Sequence, residues 1–198
     1  MHKMSRLFTA LIASTAITGA ALLPITPALA AAPMVHTQAP GYYRLMVGNI
    51  EVTALFDGAM QLDKGLLQHA NEKTLNRALD RMFVGNPKMN TAVNAYLINT
   101  GKHLVLVDAG AAGLFGPTLG NLLQNMKAAG YQPEQVDRVI ITHLHADHVG
   151  GINDTQGKPV FPQADVYVSK AESDFWLSKD IAAGAPKEMQ PFFKMAQD

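Results

Sequence analysis

Three histidines and an aspartate fall within six positions, His143, His145, Asp147 and His148, directly after the apolar run Val139, Ile140, Ile141 and before Gly150 and Gly151. Neutral imidazole and carboxylate are donors that borderline divalent cations accept, and an HxHxDH spacing concentrates four of them on one short segment. Side chains alternate along an extended backbone, so His143 and His145 share a side and can reach one ion. Asp147 and His148 follow on a tightening turn and can serve a second position beside it. The mixture suits zinc, iron, manganese or cobalt without choosing among them. The competing account is a solvated histidine-rich loop, and the apolar strand before the loop and the glycine pair after it argue against that.

Such ligands need rigid elements to aim them. Arg138 to Thr142 reads as a buried strand that delivers the chain into the histidine loop. Upstream, His103 to Val107 is a strand whose run Leu104, Val105, Leu106, Val107 is continuously apolar, the pattern of a strand covered on both faces. It ends at Asp108, followed by the small-residue loop Ala109 to Gly113. That loop carries neither GxGxxG nor GxxxxGK, so a nucleotide site is not indicated. Its small residues let another backbone come close, with Asp108 supporting a metal ligand from behind. Pro117 and Thr118 are expected to start a helix running to Ala129. Leu119, Leu122, Leu123 and Met126 form its core stripe, and Gly130 caps it.

The flanking chain reads as follows. Tyr42 to Val47 and Ile50 to Phe56 form a hairpin about Gly48 and Asn49, and Asp57 with Gly58 closes the second strand, Asp57 being read first as a turn former. Asn71 to Thr74 opens a helix with Leu75, Leu79 and Met82 or Phe83 at helical spacing, which Gly85, Asn86 and Pro87 end. Ala92 to Asn99 is a further strand. Beyond Gly151 come a polar loop, a strand over Asp165 to Val168 and a helix from Ser169, where Ser169 and Glu172 have capping-box spacing. Phe175, Trp176 and Leu177 lie on that helix, and Phe192 and Phe193 follow near the end. There is no internal repeat and no linker.

Composition narrows the class. The 198 residues are 48% hydrophobic, enough for one domain with a core, and 16 basic residues balance 16 acidic ones. There is no basic field for nucleic acid, so partners are expected to be small molecules held in a pocket, and a homodimer is compatible with the sequence. Without cysteine there is no disulfide and no thiolate nucleophile. Lys3 and Arg6, an apolar run from Leu7 to Leu23, and the small-x-small series Ala28, Leu29, Ala30 have the form of a secretory signal peptide over residues 1–30. Cleavage after Ala30 or Ala32 is expected. Pro24 and the many small residues disfavour a permanent membrane anchor, so export to the periplasm or medium follows. Removing Lys3 and Arg6 leaves 14 bases against 16 acids, a charge near −2.

The order of strands, glycine loop, helix, strand and HxHxDH resembles the metallo-β-lactamase superfamily. The segments APGYYRLMVGNIEVTALFDG, LVLVDAGAAGLFGPTLGNLLQNMKAAGYQPEQVD, ITHLHADHVGG and Glu172 to Ser178 resemble in particular its exported methyl parathion hydrolase-like, lactonase-related branch. The resemblance implies an α/β (α+β) fold, an αββα sandwich with two divalent ions, zinc foremost, at one edge. By motif, His143 and His145 would hold the first ion and Asp147 and His148 the second, with Asp108 the supporting acid. Asp147 would also orient a metal-bridging hydroxide that attacks an ester, lactone or organophosphate triester. Phe115, Trp176 and Phe192 match aromatic positions at the substrate mouth, the competing reading being core packing, which weighs most at Phe192. A β-lactam substrate fits the branch less well. Family members complete the site with a later histidine, a bridging aspartate and a final histidine, whereas no histidine follows His148 here. His36, His69 and His103 lie upstream and read as surface or packing residues. Residues 31–198 are therefore expected to be a partial domain, the N-terminal half of the sandwich. The alternative function is an incomplete, catalytically inactive metal-binding module.

Overall fold

The computed structural model describes residues 32–198, so the signal sequence expected over residues 1–30 lies outside the described part. The chain divides into two units, Met1–Thr37 and Gln38–Asp198. Residues 32–37 of the first carry no helix or strand. The second unit is built on one six-stranded sheet whose spatial order repeats the sequence order.

Strand β1 (Tyr42–Val47) turns at Gly48 and Asn49 into β2 (Ile50–Asp63), which pairs with β3 (Lys88–Asn99) around an excursion containing α1 (Glu72–Met82). Asn71 caps α1 through its side chain, which accepts from the Thr74 N–H. A turn at Gly101 leads into β4 (Leu104–Val107), the last antiparallel strand. After α2 (Leu122–Ala128), β5 (Arg138–Ile141) lies parallel to β4. After α3 (Ala146–Val149), β6 (Asp165–Val168) lies parallel to β5. Three short helices follow, α4 (Lys170–Trp176), α5 (Lys179–Gly184) and α6 (Gln190–Gln197). Parallel pairing needs crossovers, and it sets the carboxyl ends of β4 and β5 side by side, the usual ligand-binding edge of an α/β sheet.

The core lies on one face of the sheet. Leu55, Leu97, Leu106 and Val139 point into it and meet Met126 of α2, Trp176 of α4 and Phe193 of α6, all buried. The opposite face carries exposed apolar side chains, among them Tyr43, Phe56, Tyr96, Ile140 and Tyr167, placed together by the strand register. Strand β4 accordingly departs from the expectation of two covered faces: Leu104 and Leu106 are buried, Val105 and Val107 only half-buried. Among the described residues there is thus one sheet with one helical layer, and no helix long and apolar enough to cross a membrane.

Two boundaries move. Strand β2 does not end at Asp57 but runs on to Asp63, because the register shifts between Phe56 and Gly58 and leaves Asp57 as the extra residue of a bulge. Helix α2 begins at Leu122, not at Pro117. Gly120 precedes it with φ +89°, a left-handed conformation outside any helix, and a Cβ there would lie 2.7 Å from the Ala112 carbonyl oxygen. Leu119 consequently packs with Val93 and Ala111 in a separate small cluster, and Leu123 is exposed.

Candidate metal centre

Strand β5 ends at Ile141, and the chain leaves it through Thr142 to His145, which stands in extended conformation ahead of the single turn of α3. The His148 and Val149 N–H groups both donate to the His145 carbonyl, closing that turn. The ring centroids of His143 and His145 are 4.6 Å apart, and those of His143 and His148 only 3.9 Å. Asp147 Oδ2 lies 3.2 Å from His148 Nε2. All four motif side chains therefore face one small volume at the end of β5.

Asp108 reaches that volume from the end of β4. It holds φ +61°, and its Oδ1 accepts from the Thr142 N–H at 2.8 Å while Oδ2 faces His148 Nδ1 at 2.8 Å. The Thr142 hydroxyl donates to the same carboxylate. One acid thus ties the ends of two parallel strands together and orients His148, directing its Nε2 at Asp147. The backbone agrees: Ala109 N–H donates to the His148 carbonyl at 2.7 Å. Gly151 permits this approach, since a Cβ there would sit 2.0 Å from the Ala109 oxygen. The small-residue loop therefore does let a second backbone come close.

Asp57 fills the space behind this loop. Read first as a turn former, it is instead fully buried. Its two carboxylate oxygens accept from the Ala111 and Leu122 N–H groups, each at 3.0 Å. The bulge in β2 points it inward, joining the loop after β4 to the start of α2.

Charge is tightly coupled in the cluster. Hydrogen bonds to Asp108 and then Asp147 raise His148 from 6.5 to about 9, against the opposing effect of burial. Burial pushes Asp108 and Asp147 upward, but bonding to His148, with Thr142 adding to it at Asp108, more than offsets this and both remain lowered. Burial lowers His143, and the neighbouring imidazoles of His148 and His145 add to that. Without metal, His148 lies between two carboxylates that favour its protonated form, while burial and the neighbouring imidazoles favour the neutral form of His143. This donor chemistry fits a divalent cation, because His148 Nε2 and Asp147 share a proton where a cation would sit. Among the described residues, however, no three His, Cys, Asp or Glu side chains form a ready-made metal cage.

The aromatic candidates converge beside these side chains. Phe115, Trp176 and Phe192 line a cleft of about 770 Å³ together with His145 and Asp147. Trp176 also belongs to the core: it is buried, stands edge-on to His145 at 5.2 Å between centroids, and packs on Phe193 at 4.8 Å. Phe193, not Phe192, is the core member of its pair, and Phe192 is 40% exposed. Met60 and Leu62, on β2 beyond Asp57, and Leu66, just after β2, also line it, and a strand ending at Asp57 leaves them without a place. Their signal was the continued period of two through Met60 and Leu62. His69 and His103 are exposed, and His103 faces Asp137 at the opposite end of β4.

Glu172 differs from its expected role. The Ser169 hydroxyl does accept from the Glu172 N–H at 3.2 Å, as a cap should, but the Glu172 carboxylate does not return to the helix start. Its Oε2 instead accepts from the Leu144 N–H at 2.9 Å, between the first two histidines.

Residues 90–172 match the sequence profile of the Metallo-beta-lactamase superfamily. The hydrolase AbOPH of the beta lactamase superfamily is 42% identical, and its structure superposes with a TM-score of 0.75 over 81% of this chain and 55% of its own. AidC, a dizinc quorum-quenching lactonase solved with a product, is 28% identical with a TM-score of 0.70, over 79% of this chain and 56% of its own. An N-acyl homoserine lactonase from Bacillus sp is 30% identical over 112 residues, 47% of this chain and 45% of the lactonase. The chain spans about half the length of these relatives. Its mixed sheet thus shares its fold with the matching portions of the two solved structures.

Proposed function

We propose that this chain, with its metallo-β-lactamase superfamily segment at residues 90–172, supplies a divalent-metal centre for hydrolysis of an uncharged ester, lactone or organophosphate triester. The observation that carries this is the convergence of His143, His145, Asp147 and His148 at the ends of two parallel strands, opening on an apolar cleft. His143 and His145 are assigned to one ion, Asp147 and His148 to the other, with zinc the favoured metal. Bound there, the ions supply Lewis acidity and lower the pKa of a water to roughly 7.

The protein's own groups do the rest. Asp108 keeps His148 Nδ1 engaged, which leaves Nε2, facing Asp147 in the metal-free chain, as the nitrogen that would ligate. Asp147 is an acceptor that holds the attacking water by its proton. Phe115, Trp176 and Phe192 exclude solvent and receive the apolar part of the substrate, and among the described residues no lysine or arginine lines the cleft, which favours an uncharged molecule. The lactonase relatives support a lactone, and the resemblance to the methyl parathion hydrolase-like branch supports a triester. Zinc-loaded protein assayed on N-acyl lactones and on paraoxon-type triesters is expected to turn over at least one; inactivity on both rejects this reading.

The absence of a three-ligand cage among the described residues favours a second reading, an incomplete metal-binding module without activity. Metal content after dialysis separates the two. About two equivalents retained support the dinuclear centre, and none supports the inactive module. Export belongs to the same proposal and rests on Lys3, Arg6 and the apolar run to Leu23. N-terminal sequencing of secreted protein should begin at Ala31 or Pro33, and an intact Met1 would contradict it.

A further inference from the structure

We infer that Glu172 is a positioning residue that sets the geometry of the His143–Leu144–His145 segment from the first turn of α4. The Leu144 N–H belongs to the first of the two peptides that join the histidine positions, and among the described residues it has no backbone acceptor. Its partner is Glu172 Oε2 at 2.9 Å, contributed from 28 residues further along the chain. A carboxylate accepting from an amide is a short, strong bond, roughly twice a neutral one. The Leu144 side chain is buried in the core, so the residue is held at both its ends, by packing and by Glu172. One helical turn later, Trp176 stands edge-on to the His145 ring at 5.2 Å. Residues four apart share a helix face, so α4 presents one group to the backbone of the histidine pair and another to a ring.

Glu172 makes no hydrogen bond to a histidine ring, so it acts through the backbone. Its own N–H is taken by Ser169, which fixes the helix start and hence the reach of the side chain. Losing the acceptor frees the peptide between His143 and Leu144 to rotate, and with it the separation of the two imidazoles. Support of this kind behind a ligand is worth about 10- to 100-fold in metal affinity.

The inference rests on the metal reading for only one arm of its test. Glu172→Met keeps length and volume without an acceptor, Glu172→Gln keeps an acceptor oxygen, and Asp174→Ala on the exposed side of α4 is the control. In metal-free protein, hydrogen exchange at the Leu144 amide should accelerate about tenfold or more in Glu172→Met and stay near wild type in the other two. The His145 ring resonances, set by the Trp176 ring current, should shift in Glu172→Met alone. Cobalt(II) affinity should fall about tenfold or more in the same variant. Unchanged Leu144 exchange overturns the inference, and so does lost protection with unchanged cobalt affinity. If wild-type protein binds no cobalt, the metal reading fails, and the His145 resonances alone decide this one: shifted in Glu172→Met and restored in Glu172→Gln sustains it, unshifted overturns it. Should Glu172→Met not fold, Glu172→Asp, one methylene too short to reach Leu144, is read the same way.

Discussion

His148 has both ring nitrogens occupied by carboxylates, Nδ1 by Asp108 and Nε2 by Asp147, and this makes it the most strongly perturbed titrating group of the cluster. Its pKa rises from 6.5 to about 9 on folding, so the folded metal-free protein holds this proton more tightly than the unfolded chain does. The resulting stabilisation is complete below pH 6.5 and is lost as pH rises through about 9. Denaturant melts in chelator should therefore show stability falling across that window, and Asp108→Asn should flatten the fall. Asp108 and Asp147 have the opposite sign: lowered from 3.8, they stabilise above that pH and lose their contribution as pH drops below it. Asp57 offers a second check at a single residue. Asp57→Ala strips the acceptor from two N–H groups, those of Ala111 and Leu122, and should destabilise the protein by about 2–4 kcal/mol in chemical denaturation.

The elements that matter most to the centre are β2 and α4, neither of which carries a motif ligand. The bulge at Asp57 lets β2 keep its inward face beyond the core, bringing Met60 and Leu62 to the cleft. Helix α4 spans the boundary between core and site, and α6 does so with two adjacent phenylalanines facing different ways. That division predicts unequal mutational costs. Trp176→Ala removes a buried side chain packed on Phe193 and should cost about 3–5 kcal/mol in thermal or denaturant unfolding. Phe192→Ala removes one that is 40% exposed and should cost less than about 1 kcal/mol. If the cleft is the substrate site, Phe192→Ala should instead raise KM on an apolar ester while leaving the fold intact.

For the molecule as a whole, a metal bound at the proposed centre would couple to folding, because a folded site with zinc present at one hundred times its Kd gains about 2.7 kcal/mol. Thermal melts with zinc and with chelator should differ accordingly, and coincident melts would favour the inactive module. The sequence alone determined the HxHxDH cluster, the hairpin of β1 and β2, and the strand leading to Asp108, because each is written in contiguous spacing and alternation. It also marked the aromatic candidates, since the resemblance rests on local motifs. It did not reveal that β2 continues past Asp57, because the bulge shifts the inward face by one residue and the alternation that resumes through Met60 and Leu62 is out of phase with that before it. It placed the start of α2 too early, because the left-handed Gly120 and its contact with Ala112 are set by a loop that only folding brings near. Tertiary structure alone assigned Asp57, Asp108 and Glu172 their partners, 54 to 65, 34 to 40 and 28 residues away in sequence. A carboxylate's role follows from the donor it faces, and across such separations that is fixed by the parallel pairing of β4 and β5 and the packing of α4 rather than by any local pattern.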